Sequence, residues 1–217
     1  MSSQAVALRV KLSRALSEAR AGMRNAIAAA VLTVLLPTSA MAADDCPSAK
    51  SGKTGFVVER SGSSVTEIFH VDETIVRTVM RSGGTMLLET TQFQGLLPLE
   101  RLDRGRRQTF RPKGELTRIF PLKTGQTSTA EFEFQEGDRT TAATVTLSVK
   151  EKDALFIGPC RYEVFKLERT EARGEIQPRL EIDYYAPDLK LVIAKEYKER
   201  NGRINLIKFD RIYPIGR

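Results

Sequence analysis

Apolar and polar residues alternate with a period of two along most of the chain beyond residue 55. The clearest run is 143–149, where Ala143, Val145, Leu147 and Val149 take one phase and Thr144, Thr146 and Ser148 the other. Such alternation predicts a strand with one buried and one wet face. Ala130, Phe132 and Phe134 alternate in the same way with Glu131 and Glu133, and Leu180, Ile182 and Tyr184 with Glu181 and Asp183. Leu189, Leu191 and Ile193 oppose Lys190, Val192 and Ala194, which predicts a more buried strand. Earlier strands are predicted at 55–59, 64–71, 74–81 and 85–93. Around 162–167 the apolar phase slips from Tyr162 and Val164 to Phe165 and Leu167, the mark of a bulge or a bend.

Turn chemistry punctuates these runs. Ser82-Gly83-Gly84, Gln94-Gly95, Thr124-Gly125, Glu136-Gly137-Asp138 and Asn201-Gly202 fall between them. Asn201-Gly202, between 193–199 and 204–209, is the strongest hairpin signal. No segment beyond residue 43 keeps a helical period, so short strands with close turns predict an all-β, antiparallel domain: a sandwich, a barrel or a strongly curved sheet. No repeat or linker divides 43–217, which reads as one domain.

The first 42 residues follow a different pattern. Arg9, Lys11, Arg14, Arg20 and Arg24 precede an apolar run, 26–36, that Pro37 ends, and Ala40-Met41-Ala42 is a small–x–small cleavage site. These are the three parts of a secretory signal peptide, so 1–42 predicts export to the periplasm by a cleaved leader. The 11-residue run is short of the roughly 20 that a membrane span needs. Ala43-Asp44-Asp45 before Cys46 does not suit lipoprotein processing, and no twin-arginine signature is present. An organelle targeting segment is the alternative.

Removing the leader changes the charge. The chain carries 34 basic and 27 acidic residues, net +7; without the five basic residues and one acidic residue of 1–42 the balance is +3. That surplus does not point to nucleic acid. The two cysteines, Cys46 and Cys160, both lie in the exported part, and in an oxidising compartment such a pair predicts a disulfide. No Cys-x-x-Cys redox motif occurs.

Candidate chemistry is sparse. His70 is the only histidine, with Asp72 two residues on, but no Gly-x-Ser-x-Gly elbow accompanies it and no metal-ligand spacing occurs. Glu131 with Glu133, and Glu181 with Asp183, are paired carboxylates of the kind glycosidases use, yet same-face acids are the usual solvated side of a strand. The chain therefore predicts no catalytic residues, no metal and no cofactor. The basic stretch Arg101, Arg104, Arg106, Arg107 and Arg111 is the candidate contact for an anionic group or partner, against the reading of a solvated charged loop.

Phe120-Pro121-Leu122-Lys123-Thr124-Gly125 and Tyr185-Ala186-Pro187-Asp188-Leu189 resemble two turns of uncharacterised periplasmic domains similar to the lipoprotein-carrier (LolA/LolB-like) half-barrel superfamily. The resemblance implies a single curved antiparallel sheet or half-barrel with an apolar concave face. It also implies envelope maintenance or hydrophobic-ligand carriage. The expected partners are an envelope lipid, a lipoprotein or a periplasmic protein. The competing expectation is a purely structural or scaffolding envelope protein that acts through its outer surface. A cavity between the sheet and its cover favours the first, a filled core the second.

Overall fold

A computed structural model describes residues 46–60, 64–198 and 202–215; the leader expected at 1–42 and the Asn201 of the predicted hairpin lie outside them. The described residues form thirteen strands in one antiparallel sheet, with two short 3-10 turns, Leu116–Ile119 and Pro187–Leu189, and no α-helix. The strands are β1 Gly55–Arg60, β2 Ser64–His70, β3 Ile75–Ser82, β4 Thr85–Phe93, β5 Leu97–Asp103, β6 Arg106–Pro112, β7 Thr127–Glu136, β8 Arg139–Ile157, β9 Cys160–Arg173, β10 Ile176–Ala186, β11 Leu191–Lys198, β12 Ile204–Lys208 and β13 Arg211–Pro214. From β1 to β12 each strand pairs with its neighbour in sequence; β13 then pairs with β1 at the opposite edge.

The sheet is strongly curved. Arg101 on β5 and Glu171 on β9 are four strands apart, which in a flat sheet means about 19 Å at the usual spacing between strands. Their side chains are 3.8 Å apart. Only Phe209 and Asp210 separate β12 from β13, so one extended segment lies first along β11 and then along β1. At the switch, Phe209 N donates to Ile193 O (3.3 Å) and Asp210 N to Glu59 O (2.8 Å). The two edges of the sheet therefore lie side by side, although the ladder between them is not closed.

A bulge in the longest hairpin sets how the faces are used. Val149 pairs with Leu167, but Glu151 pairs with Lys166, so the register shifts at Lys150. This is the slip expected at 162–167, taken up on the facing strand. Val164 and Leu167 are three apart, hence on opposite faces of β9, yet both are buried. Before the bulge, β8 buries Ala143, Val145, Leu147 and Val149 with Phe110, Phe132, Phe134 and Leu167. Beyond it, Ile157, Cys160, Tyr162 and Val164 pack with Phe56, Val58, Ile68 and Val76 of β1–β3. One hairpin thus serves two cores. Leu116, Ile119 and Leu122, from the β6–β7 connection, plug one end of the first core.

Two expectations shift in detail. Residues 101–111, weighed as a solvated loop, fold instead within the β5–β6 hairpin around Arg104-Gly105. Leu189 belongs to a 3-10 turn rather than to the next strand, because Lys190 adopts a left-handed φ of 49° and β11 starts only at Leu191. The predicted disulfide is present: Cys46 and Cys160 are bonded across 114 residues and pack at the second core.

That bond anchors the described N-terminal end to the β8–β9 turn. Loss of a native disulfide costs about 2–5 kcal/mol. Urea unfolding of the oxidised protein and of Cys160→Ser should differ by that amount, and non-reduced peptide mapping of the wild type should show no alkylatable thiol.

Candidate functional site

The register of the β5–β6 hairpin places each arginine of the basic stretch. Arg101 pairs with Gln108, Leu102 with Arg107 and Asp103 with Arg106. Paired residues share a face, and Gln108 lies in phase with the buried Phe110, two residues on. Arg101 and Arg106 thus project on the inner face. Arg107 and Arg111 project outward, and Arg104 sits in the turn at φ 48°. The exposed members carry surface partners: Arg107 with Glu100, Arg111 with Glu133 at 2.9 Å, and Arg106 with Asp103 at 3.8 Å. The hairpin brings Arg101 and Arg106 together and separates them from Arg107 and Arg111.

Arg101 joins a charged network that sequence reasoning did not reveal. Cross-strand pairing sets Arg169 opposite Glu181 and Asp183 opposite Lys195. Arg169 Nε donates to Asp183 Oδ2 (2.7 Å), and its Nη2 to Glu181. Lys195 Nζ lies 2.6 Å from Glu181 and 3.3 Å from Asp183 Oδ1, which takes no hydrogen bond. Arg173 spends Nε and Nη2 on Glu171, while its Nη1 donates to Gln108 (3.4 Å). Asp183 is fully buried and the Arg169 side chain is 12% exposed. Burial opposes the charge on Arg169, but Asp183 and Glu181 outweigh it and raise its pKa. Burial likewise acts to raise Glu181, and Arg169 and Lys195 overcome it, taking the carboxyl down to about 2. The only sequence signal for this network was the Glu181–Asp183 pair; its cations come from elements that the curl brings in.

A second feature lies at the seam. Where the C-terminal segment leaves β11 for β1, a cleft of about 160 Å³ opens. Met80, Ile207 and Phe209 are among its apolar walls, and Arg60, Lys195 and Lys208 among its polar ones; none of its lining residues is acidic. Lys195 is held by Glu181 and Asp183, and Lys208 Nζ donates to Phe156 O (2.9 Å). Arg60 is exposed.

The remaining candidates hold turns together. His70 Nε2 donates to Leu189 O (3.2 Å) and its ring meets Phe56 edge-on. Asp72 does not orient that ring: it accepts from Thr74 N and Ile75 N and from the Thr74 hydroxyl, which lowers its pKa. Glu131 is exposed, and Glu133 pairs with Arg111 on the outer face. Among the described residues no group of three or more His, Cys, Asp or Glu is placed to hold a metal.

Both turn motifs are latches on the curl. Tyr185 Oη donates to Gln94 O (2.8 Å), and Lys190 Nζ reaches Glu73 O. Gly95 has a φ of 68°, and a Cβ there would sit 1.8 Å from Lys190 O. In the other motif, Phe120 packs edge-on against Phe93, and Gly125 N donates to Val149 O (2.8 Å).

No family model and no curated protein matches this chain. Among solved structures it is similar to the hypothetical lipoprotein YmcC from Escherichia coli, at 10% identity and a TM-score of 0.45, over 71% of this chain and 84% of that one.

The Glu181 shift has a pH consequence. Its folded pKa, about 2, lies below its ordinary 4.5, so its stabilisation is complete above about 4.5 and is lost as pH falls toward 2. Thermal unfolding should show the midpoint dropping across that window. Glu181→Gln should start from a lower midpoint at pH 7 and flatten the drop; an unchanged slope would remove Glu181 from the acid response.

Proposed function

We propose that this chain is an exported, non-catalytic envelope protein that binds a hydrophobic or lipidic envelope component at the seam cleft. The observation that carries the reading is the cleft itself: apolar walls, three basic side chains and no acid. An amphiphile with an anionic head fits that lining, its apolar end against Met80 and Phe209 and its head toward Arg60. Export is supported by the Cys46–Cys160 bond and by the leader pattern at 1–42.

Size decides the mode of binding. Pockets that enclose a small molecule run to about 300–1,000 Å³, whereas a cavity of about 150 Å³ takes one benzene-sized group. At about 160 Å³ the cleft seats one apolar end and leaves the rest of the molecule outside. On the concave face Phe110, Phe132, Val145 and Leu147 are buried in one cluster. Gripping an exposed end, not enclosing a whole acyl chain, is the mode that this geometry favours.

Native mass spectrometry and lipid extraction of protein from its own periplasm test the reading. The wild type should carry an amphiphile. Met80→Trp, which fills the cleft, should weaken its binding about 10–100-fold, the equivalent of roughly 1.5–3 kcal/mol for one apolar group. Wild-type occupancy in a folded Met80→Trp variant would overturn the assignment, as would the absence of any ligand from the wild type.

The exposed arginines at the tip of the β5–β6 hairpin, Arg104 in the turn and Arg106 and Arg107 on its two faces, are the proposed contacts for an anionic partner. Arg106 and Arg107 hold only exposed ion pairs, of the kind worth about 0–1 kcal/mol each. Reversing Arg104, Arg106 and Arg107 to glutamate should therefore leave the melting temperature within a few degrees. The same variant should fail to restore envelope integrity in a deletion strain; full complementation would make this surface a solvated one.

A further inference from the structure

The inner-face network leaves one cation unsatisfied. Arg169 meets Asp183 at 2.7 Å, Lys195 meets Glu181 at 2.6 Å, and Arg173 spends two nitrogens on Glu171. Arg101 has no such partner. Its Nη2 is 3.8 Å from Glu171 Oε2, too far for a hydrogen bond. Arg169 approaches that same oxygen at 3.8 Å, so three guanidinium groups share one carboxylate. Arg101 makes no hydrogen bond with any described residue, although its guanidinium carries five N–H donors.

The surroundings fix where those donors are. The Arg101 guanidinium lies 5.9 Å from the Phe110 ring centroid, and that of Arg173 lies 5.4 Å from the same centroid. The Arg101 side chain is 26% exposed: mostly withdrawn from water, but still reachable. Burial pushes its pKa below the ordinary arginine value, Arg173 and Arg169 add to the effect, and Glu171 does not offset them. The acids nearby are committed elsewhere. Glu136 accepts from Gln108 at 2.8 Å, and Asp103 faces Arg106.

We propose that the mouth of the curled sheet, between Arg101 and Arg173 beside Phe110, binds a compact oxyanion, a carboxylate or a phosphate group, with the Arg101 fork as its main ligand. A planar guanidinium offers such an anion two parallel N–H donors, which an ammonium cannot do. With Arg169 paired to Asp183 and Glu181, Arg101 and Arg173 face the single carboxylate of Glu171, and the excess of arginine over carboxylate there supplies the attraction that Glu171 alone would oppose. This site shares no side chain with the lining of the seam cleft, so either can fail without the other.

The test is anion-dependent unfolding of the oxidised protein, with chloride used to hold ionic strength constant. Inorganic phosphate should raise the melting temperature of the wild type at millimolar concentrations, as a ligand of the native state must. Arg101→Lys should weaken the response severalfold and Arg101→Gln at least tenfold. Arg107→Gln, on the outer face, should respond as the wild type does. Should Arg101→Gln fail to fold, the Arg101 Nε–H resonance of the wild type must still shift with phosphate, and the Arg107 resonance must not. A parallel acetate series separates the two anion classes: an equal response assigns a carboxylate-type site, and a response to phosphate alone assigns a phosphate site. No stabilisation and no resonance shift at tens of millimolar of either anion would overturn the proposal. An undiminished response in Arg101→Gln would do so too.

Discussion

The architecture depends on one constraint: the β8–β9 hairpin must bury opposite faces at its two ends. Its strands are 19 and 14 residues long, too long for one core to cover. A single register shift at Lys150 turns the buried side over, so Leu167 enters the first core and Val164 the second. A bulge also bends its strand and increases local twist. Once this hairpin bends, β10 and β11 are carried toward β1–β3, and Tyr184, Leu189, Leu191 and Ile193 meet Phe56, Val58 and Ile68. The latches at Gln94-Gly95, His70 and Lys190 hold a curl that the bulge begins.

The same curl explains why charges lie inside. Alternation along β9 puts Arg169, Glu171 and Arg173 in phase with Leu167, so they follow it onto the inner face. On a flat sheet they would be wet. Here the wall opposite is β5–β6, and Arg101 and Gln108 come within reach. Removing ions from water is costly, and mutual pairing returns the cost only when geometry is good. At Arg169 it is good: two carboxylates flank it, and Arg169 and Glu181 both shift in the direction that favours charge. At Arg101 it is not, and that imbalance separates a structural ion cluster from a surface able to take another anion.

Much of this was legible in the sequence, and the limits are physical. The run at 85–93 is β4, and 55–59, 64–71 and 74–81 match β1–β3 to within a residue at either end. Period-two patterning reports a strand when one face is apolar. The β5–β6 hairpin escaped because its alternation is carried by Arg101, Asp103, Arg106 and Gln108, polar residues that point inward. The phase slip near Tyr162 announced a bulge without saying which strand would carry it. The Arg101–Glu171 approach had no signal, since two residues 70 positions apart meet only through the shape of the whole sheet. The cleft was equally invisible: β1–β3 supply one wall, β11–β12 the other, and the space exists because the last segment changes edges.

That change of edges links the fold to its proposed use. A fully closed barrel would leave no edge to exploit, and a flat open sheet would present two long ones. This chain takes an intermediate course. Its last segment covers β11 with Ile204–Lys208 and β1 with Arg211–Pro214, and spends only two residues between. Pairing with β1 stops at Glu59, opposite Arg211, so Arg60 has no partner on that side. The opening is thus a direct result of how the sheet is stitched, and strand registers place its described lining. A fixed opening of that size, walled by apolar side chains beside basic ones, is suited to discriminate the end of a ligand. Inside the curl the first core is filled where Phe110, Phe132 and Leu147 are buried, so the proposed site falls where the stitching, not the core, leaves space.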